Sequence, residues 1–256
     1  MRFGLLVLLA SLSLGAQVPE RRWSFDLHSL PSTLEGGFQG TIDGQAISFD
    51  LKGDLALGKD KTKPGASIEY QGHRFGLVLS IDEQDYKGSA LITRPISLNG
   101  TTYQVNTQVN SQIKLRSYDF NWTIRAWTLE QAWIGVDLGV HTWDLDMSAT
   151  GTEQGTLLTK AASEKISVPI PQLGISVGGK AFSDRLVGRA SFHILKYKDA
   201  TYHRWQGDLR YFPLPWVGLR AFLDTESFDV PKGSIKDDLI FNVDRNGAGF
   251  GVVLRF

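Results

Sequence analysis

The sequence predicts an all-β protein that folds as an antiparallel, up-and-down transmembrane β-barrel of about ten strands. Three observations lead to this prediction. Apolar residues recur at every second position over most of the chain, which is the side-chain period of a β-strand. Short connections alternate with longer polar connections. The last strand runs to the terminus and ends on Phe256, with Phe250, Val252 and Leu254 on the same face.

Residues 1–16 have the form of a secretory signal peptide. A positively charged residue precedes an apolar run at 4–10, and small residues lead to Ala16, after which we expect cleavage. The apolar run is shorter than the roughly 20 residues that a membrane-spanning helix needs. The pattern leaves the exact cleavage position open.

Composition narrows the functional classes. The chain has 256 residues, and 27 Lys and Arg residues are balanced by 27 Asp and Glu residues. Because there is no net charge to attract a polyanion, nucleic acid is not expected as a partner. The chain has no cysteine, which excludes disulfides and thiolate metal sites. We predict no cofactor and no metal site.

Ten stretches with period-2 alternation are interpreted as strands. The turn signal Asp43-Gly44 can split the first stretch in two, so eight or twelve strands are the alternatives. Near Ser117 the apolar residues change face, which indicates either a β-bulge or the boundary of the membrane. The predicted strands are 35–52, 65–72, 74–92, 102–125, 131–147, 167–182, 185–197, 201–212, 216–228 and 246–256.

The connections alternate in length, as is typical of membrane barrels with tight turns at one end and longer loops at the other. The short turns are predicted at 71–74, 182–185 and 212–216. The longer polar loops are predicted at 53–64, 94–102, 149–165 and 227–244. The connection at 198–200 is an exception, because it is short where the pattern requires a long loop.

The terminal strand and one hairpin carry a family resemblance. Residues 207–222 form a strand, a proline-containing turn with aromatic flanks and a second strand. In these features the chain resembles the outer-membrane β-barrel proteins of double-membraned bacteria, although no subfamily is indicated. The resemblance implies a location in the bacterial outer membrane. It also implies an N-terminal periplasmic segment at 17–34 and a barrel domain at 35–256.

The resemblance implies partners as well. In this class the barrel assembly machinery recognises the last strand as a targeting signal. In this chain that signal contains Phe250, Val252, Leu254 and Phe256. Outer-membrane lipid and lipopolysaccharide are the other implied partners, and the oligomeric state is left open. The alternation alone also fits a soluble exported barrel that binds a ligand inside an apolar interior.

In a membrane barrel the apolar set faces lipid and the polar set faces the lumen. About ten strands enclose a lumen little wider than its own side chains, and charges of both signs there must pair because an unpaired buried charge is costly. We therefore predict a narrow, charge-lined and plugged lumen. The predicted lumen charges are Asp137, Lys180, Arg189, Asp208, Arg210, Arg220, Asp224 and Arg255.

Two groups of residues are candidates for chemistry. Ser191 and His193 lie two apart on one strand, as do the His and Ser of outer-membrane lipid hydrolases, but in reversed order and on the lumen face. A hydrogen-bond network is therefore preferred to a catalytic site. His141, Asp144 and Asp146 lie near a strand end, as a solvated rim or as ligands for a divalent cation that bridges lipopolysaccharide phosphates.

The predicted function is a structural or surface-interaction role, in which the barrel anchors external loops, and not an enzymatic one. A narrow channel for small solutes is the main alternative. A barrel enzyme that acts on outer-membrane lipid is a further alternative. The sequence identifies neither a ligand nor a transported solute, because folds of this kind carry many activities.

Overall fold

A computed structural model describes residues 22–42, 45–57, 62–153, 159–232 and 240–256. The predicted signal peptide and the predicted turn at 43–44 lie outside the described residues. The described residues form one antiparallel sheet. Its strands are β1 (Trp23–Ser29), β2 (Ser32–Ile42), β3 (Gln45–Asp50), β4 (Gly65–Gln71), β5 (Phe75–Leu91), β6 (Ile96–Leu98), β7 (Thr101–Tyr103), β8 (Thr107–Thr128), β9 (Ala132–Glu153), β10 (Thr159–Ala181), β11 (Leu186–Tyr197), β12 (Ala200–Leu214), β13 (Val217–Val230) and β14 (Ile240–Arg255).

Ten of these strands close into a ring in the order β1-β4-β5-β8-β9-β10-β11-β12-β13-β14. The ring closes where β14 pairs with β1, from Ser24 opposite Arg255 to Ser29 opposite Phe250. The predicted ten-stranded antiparallel barrel is therefore confirmed. The end that carries the connections β4–β5, β8–β9, β10–β11 and β12–β13 is called the short-turn end, and the opposite end the long-loop end. No helix among the described residues is long and apolar enough to cross a membrane.

The first ring strand differs from the prediction. The stretch 17–34, interpreted as a periplasmic segment, contains β1, whereas the predicted first strand 35–52 forms parts of β2 and β3 outside the ring. The physical reason is the shortness of β1. Its alternation of apolar and polar residues covers only seven positions and is broken by Pro31, so it gives a weak period-2 signal.

Strands β2, β3, β6 and β7 extend the sheet at the long-loop end. β1 and β2 pair with consecutive stretches of β14, and β3 pairs with β6 through Ser48 and Ser97. The β6–β7 hairpin then reaches the far wall, where Asn99 Nδ2 donates a hydrogen bond of 2.8 Å to the backbone oxygen of Ser163 on β10. The hairpin therefore bridges the long-loop end of the barrel.

Strand β8 shows where the interior changes character. Its ladders with β5 and β9 continue through Ser117 without a register shift, so the alternative of a β-bulge at this residue is wrong. Toward the short-turn end, Phe120 and Trp122 point outward and are exposed. Toward the long-loop end, Ile113 and Leu115 point inward and are fully buried. The apolar face of the strand therefore changes sides at Ser117.

The outward face of the short-turn half is an apolar belt. β8 is 22 residues long, whereas a strand needs about 9–11 residues to cross a bilayer, so roughly half of it extends beyond the belt. Exposed apolar side chains that form the belt are Phe25, Leu27, Ile68, Leu79, Ile81, Phe120, Trp122, Ile124, Ile134, Val136, Leu138, Val140, Leu173, Ile175, Val177, Ile194, Trp205, Leu209, Leu219, Leu223, Phe250, Val252 and Leu254.

The inside of the long-loop half is a dry apolar core. The segment 51–57 folds inward against β5 and β8, where the Ser111 hydroxyl donates a hydrogen bond of 3.1 Å to the backbone oxygen of Leu55. Large buried side chains of this core are Leu51, Tyr86, Ile92, Ile96, Tyr103, Ile113, Leu115, Trp143 and Tyr202. Such a core resembles the interior of a water-soluble protein and lies outside the belt.

The long-loop part of β10 has a free edge. β10 pairs with β11 only from Leu173 to Ala181, because the β11–β12 hairpin already turns back after Tyr197. The edge at 159–172 therefore has no partner strand on this side among the described residues. Pro169 and Pro171 lie on it and lack an N–H donor.

Inward aromatic rings pack flat against glycines on neighbouring strands. Trp133 lies opposite Gly178, and a Cβ at Gly178 would collide with the Trp133 ring. The same ring receives the Arg125 guanidinium at 4.8 Å from its centroid. Glycine at position 178 therefore lets the tryptophan fill the lumen near the short-turn end.

Gly178→Ala is expected to lower the free energy of unfolding by about 1–3 kcal/mol, because the Trp133 ring must leave its position. Urea unfolding of the barrel refolded into lipid vesicles measures this loss. Gly207→Ala is the matched control, since a Cβ at Gly207 meets no atom within 4 Å. Equal losses in the two variants would contradict the packing role of Gly178.

Candidate functional site

The short-turn half of the lumen contains a cluster of buried ionic groups, which we call the lumenal charge cluster. It is defined by side chains that face the lumen and lie within ion-pair distance of one another. Its carboxylates are Asp26, Glu69, Asp82, Asp119, Asp137, Asp208, Asp224 and Glu226. Its cationic or titratable bases are Arg189, Arg204, Arg210, Arg220, Arg245, His28, His141 and His193.

Arg204 is the centre of the cluster near the apolar core. Its guanidinium lies 2.7 Å from Asp224, 3.1 Å from Glu226 and 3.2 Å from Asp119. Arg245 shares Asp224 at 2.9 Å and also pairs with Glu226. Because each of these three carboxylates contacts more than one base, the groups form a continuous network and not a set of separate pairs.

A second part of the cluster lies closer to the short-turn end. Arg210 bridges Glu69 and Asp208, with 2.7 Å between its Nε and Asp208 Oδ1. Arg220 binds the other oxygen of Asp208 and donates through Nη1 to Asp26 Oδ1 at 3.0 Å. These contacts tie β12 and β13 to β4 and β1 across the interior.

Asp137 is the centre of a third part. Its carboxylate is completely buried and accepts hydrogen bonds from Thr123 at 2.6 Å and Ser176 at 2.9 Å. His193 Nε2 lies 3.2 Å from the same carboxylate, and Arg189 lies 3.3 Å from it. Three hydrogen-bond donors and the His193 ring therefore surround one carboxylate, which stabilises its charge.

Six of the eight charges assigned to the lumen by sequence lie in the cluster: Asp137, Arg189, Asp208, Arg210, Arg220 and Asp224. Lys180 instead pairs with Asp184 at 3.2 Å and is half exposed. Arg255 donates to the backbone oxygens of Pro215 and Asp184 near the short turns. These two charges therefore belong to the short-turn end.

Several other members of the cluster were not singled out from the sequence. Glu226 lies two residues after Asp224 on the same face of β13, so the period-2 pattern could have identified it. Arg204 lies on the same face of β12 as Asp208 and Arg210, and the same pattern applies. Asp26 and His28 lie on β1, which the sequence analysis did not recognise as a strand.

Ser191 and His193 are both on the lumen face and almost completely buried. The Ser191 hydroxyl donates to Gln206 Oε1 at 3.4 Å, whereas His193 contacts Asp137. Each side chain therefore has a different polar partner, and neither faces the apolar belt.

We expect Ser191→Ala and His193→Ala to leave any lipid hydrolysis by the purified protein unchanged, because both side chains are separated from lipid by the barrel wall. Release of fatty acid from outer-membrane phospholipid in detergent measures this activity. Activity that disappears in both variants, while the heat-modifiable gel mobility of the barrel is kept, would contradict the expectation.

His141, Asp144 and Asp146 do not form one site. Residues an odd number apart on a strand face opposite sides, so His141 points inward while both aspartates point outward. Asp144 accepts a hydrogen bond of 2.6 Å from Ser167, and Asp146 lies 3.7 Å from Lys165 Nζ. The three residues therefore do not converge on one cation site. Among the described residues there is no group of His, Asp or Glu arranged to hold a metal ion.

A small cavity lies within the charge cluster. Its volume is about 70 Å³, which is room for a few water molecules. Asn121 lines it, and the Oδ1 atom of this residue has no hydrogen-bond partner among the described side chains and backbone. Charged groups around the cavity include Asp82, Asp119, Arg189 and Arg220. The arrangement fits ordered water better than an apolar ligand.

The outward face of the long-loop half is polar and self-paired. The Lys63 ammonium, which hydrogen-bonds Glu83, and the Arg116 guanidinium at 3.1 Å hold the pKa of the Glu83 carboxyl below its usual range. Lys165 and Asp146 form a similar pair on β10 and β9. This outward face, made by β5 and β8–β10, is called the polar wall. It therefore carries charges of both signs and has little net electrostatic field.

Comparison with solved structures identifies the architecture. The outer membrane protease OmpT of Escherichia coli has a TM-score of 0.59 to this chain at 10% identity, with 95% of this chain and 99% of OmpT covered. The translocator domain of the autotransporter NalP from Neisseria meningitidis has a TM-score of 0.50 at 11% identity, with 93% of this chain and 90% of that domain covered. No family model and no curated protein matches the chain.

The chain has the fold of a bacterial outer-membrane β-barrel protein. The identities are too low to transfer an activity, so the likeness concerns the fold alone. In barrels of this fold the apolar belt faces lipid and the short turns face the periplasm. Phe250, Val252, Leu254 and Phe256 are exposed on the lipid side of the closing strand.

Proposed function

We propose that this outer-membrane β-barrel is a sealed anchor that presents the polar wall of its long-loop half outside the membrane. The observation that carries the proposal is the apolar core inside that half. A path for water or solute would have to pass fully buried Trp143, Tyr202 and Leu115, which are packed as in the interior of a soluble protein.

A second barrier lies in the short-turn half. There, the lumenal charge cluster ties opposite walls together through contacts such as Arg210 with Glu69, which lie on β12 and β4. Opening a pore would separate these pairs and leave buried charges without partners, which is strongly unfavourable. The apolar core blocks the long-loop half of the lumen and the ionic cluster blocks the short-turn half, and both therefore support a closed barrel.

The polar wall supports a role in surface interaction. Strands β8, β9 and β10 extend well past the apolar belt, so their outward side chains are accessible outside the bilayer. Oppositely charged side chains on this wall, such as Arg116 and Glu83, already pair with one another. A partner would therefore be bound by polar contacts over a broad surface and not by a single strongly charged patch.

A narrow channel for small solutes is the second candidate, and one observation favours it. The cavity of about 70 Å³ lies between charges of both signs, including Asp119 and Arg204. Such a site could hold a small polar solute. To conduct, however, it would need an exit through the apolar core.

Single-channel recording in planar bilayers distinguishes the two candidates. For the refolded full-length protein we expect no conductance steps above the baseline at 1 M salt, while a general porin in the same bilayer serves as the positive control. Small, reproducible steps that saturate with salt concentration would overturn the sealed anchor in favour of the channel.

A further inference from the structure

His28 lies on the strand that closes the barrel and is held between two carboxylates. The residue is 6% exposed. Nδ1 is hydrogen-bonded to Asp26 Oδ1 on the same strand, and Nε2 lies 2.9 Å from Asp82 Oδ1 on β5. Asp82 has no other ion-pair partner among the described residues, so this histidine provides its only close cation.

Hydrogen-bonding capacity fixes the protonation of this group. A neutral imidazole has one N–H donor and one acceptor nitrogen, whereas an ionised carboxylate can only accept. Both ring nitrogens of His28 face carboxylate oxygens, so both must carry a proton if both contacts are to be favourable. We propose that His28 is an imidazolium ion and that its second proton holds β1, the strand at which the barrel closes, to β5. We call this arrangement of Asp26, His28 and Asp82 the His28 clamp.

Glycines on both sides make room for this clamp. His28 lies opposite Gly251 of β14 and opposite Gly65 of β4. A Cβ at Gly65 would lie 2.5 Å from Asp82 Oδ1 and 2.6 Å from His28 Nε2. Because Gly65 has no side chain, the imidazole reaches over β4 to β5. The first strand is thereby joined to a strand with which it shares no backbone ladder.

The surroundings of His28 contain both signs of charge. On β1 it faces Asp26, and on β5 it faces Asp82. From β13, Arg220 donates to Asp26 at 3.0 Å, and the Phe222 ring packs edge-on at 5.1 Å from the imidazole. From β12 and β14, Arg204 and Arg245 act on Asp82 through space. Neither of the directly opposite residues, Gly65 and Gly251, carries a charge.

The clamp makes closure of the barrel depend on pH. When His28 loses its second proton, one ring nitrogen presents a lone pair to a carboxylate, and the contact changes from attractive to repulsive. Below that pH, and above the pH at which a histidine of the unfolded chain deprotonates, the folded barrel holds one proton more than the unfolded chain. Stability therefore falls as the pH rises through this range. This inference is independent of the proposed function, since a conducting barrel would complete its ring through the same β1–β14 pairing.

Unfolding of the refolded barrel in lipid vesicles, measured by urea titration from pH 6 to pH 10, tests the clamp. For the native chain we expect the folding equilibrium constant to fall up to tenfold per pH unit over part of this range, which is the slope for one released proton. In His28→Gln the slope should decrease by this one proton. His203→Gln is the matched control, since His203 faces outward and is exposed, and it should keep the native slope. Equal slopes in the native chain and His28→Gln would overturn the proposal.

A spectroscopic measurement covers the case in which His28→Gln fails to fold. In the native barrel labelled with ¹⁵N-histidine, both ring nitrogens of His28 should show the signals of an imidazolium at pH 7. Its resonances can be assigned from Asp82→Asn, which alters the environment of Nε2 and leaves the histidine in place. A neutral ring at pH 7 in the native barrel would refute the clamp.

Discussion

Replacing Arg204 with methionine is expected to lower the free energy of unfolding by about 3–5 kcal/mol, because the change leaves several buried carboxylates without their shared cation. The Arg204 guanidinium contacts Asp119, Asp224 and Glu226 at 3.2 Å or less, and its side chain is almost fully buried. Methionine fills much of the same volume, so the loss reflects uncompensated charge more than a cavity. Urea titration of the barrel in lipid vesicles measures it.

A matched substitution separates buried from exposed ion pairs. Lys165 lies 3.7 Å from Asp146, and its side chain is 81% exposed. Lys165→Met is expected to change stability by less than about 1 kcal/mol. Adding Asp224→Asn to Arg204→Met should recover part of the loss, since it removes one of the orphaned charges. A loss in Arg204→Met no larger than that in Lys165→Met would show that the charge cluster does not hold the walls together.

Trp143→Ala is expected to lower the free energy of unfolding by about 3–5 kcal/mol, through lost burial and the cavity that remains. The indole is 1% exposed, and Phe228 packs edge-on against it at 6.4 Å between ring centroids. Because this residue lies beyond the apolar belt, the loss should be the same in bilayers of different thickness. Heat-induced change in gel mobility gives a readout that is free of tryptophan fluorescence.

Trp216→Ala is the corresponding change on the lipid side. That ring is 53% exposed at the short-turn end, so its truncation leaves no buried cavity. We expect a smaller loss that varies with the lipid, since the ring contacts the bilayer interface. If both tryptophan variants lose the same stability and respond alike to the lipid, the long-loop half has no independent apolar core.

The ring of strands could largely be predicted from the sequence, because membrane strands impose a strict period of two on their side chains. β14 illustrates this, since Phe250, Val252 and Leu254 alternate with smaller or polar residues along the whole closing segment. β1 was missed for the opposite reason. It presents only Trp23, Phe25 and Leu27 before Pro31 interrupts the pattern.

The charge cluster could be predicted only in part. Periodicity shows which face a residue such as Arg210 occupies, but not which residue meets it across the lumen. Its partner Glu69 lies 141 positions earlier in the chain. The pairing depends on strand order and tilt, which local patterns do not contain. The same limit hid the His28 clamp, which needs three neighbouring strands in register.

The apolar core was not predicted, although the change of the apolar face near Ser117 was recognised in the sequence. Alternation continues across that residue, and only the chemistry of each face changes. Sequence periodicity reports that a strand has two different faces, but a lipid-facing apolar set and an inward apolar set produce the same signal. Deciding between them requires knowing where the bilayer ends.

The free edge of β10 limits how copies of this barrel can associate. A strand edge that lacks a partner strand over 159–172 would ordinarily invite a neighbouring chain to continue the sheet, although Asn99 already contacts the Ser163 backbone oxygen. Pro169 and Pro171 remove two of the donors that such a neighbour would need, and Lys165 adds a charge nearby. Two copies of this barrel can therefore meet at this edge, outside the bilayer, through side chains and without joining their sheets.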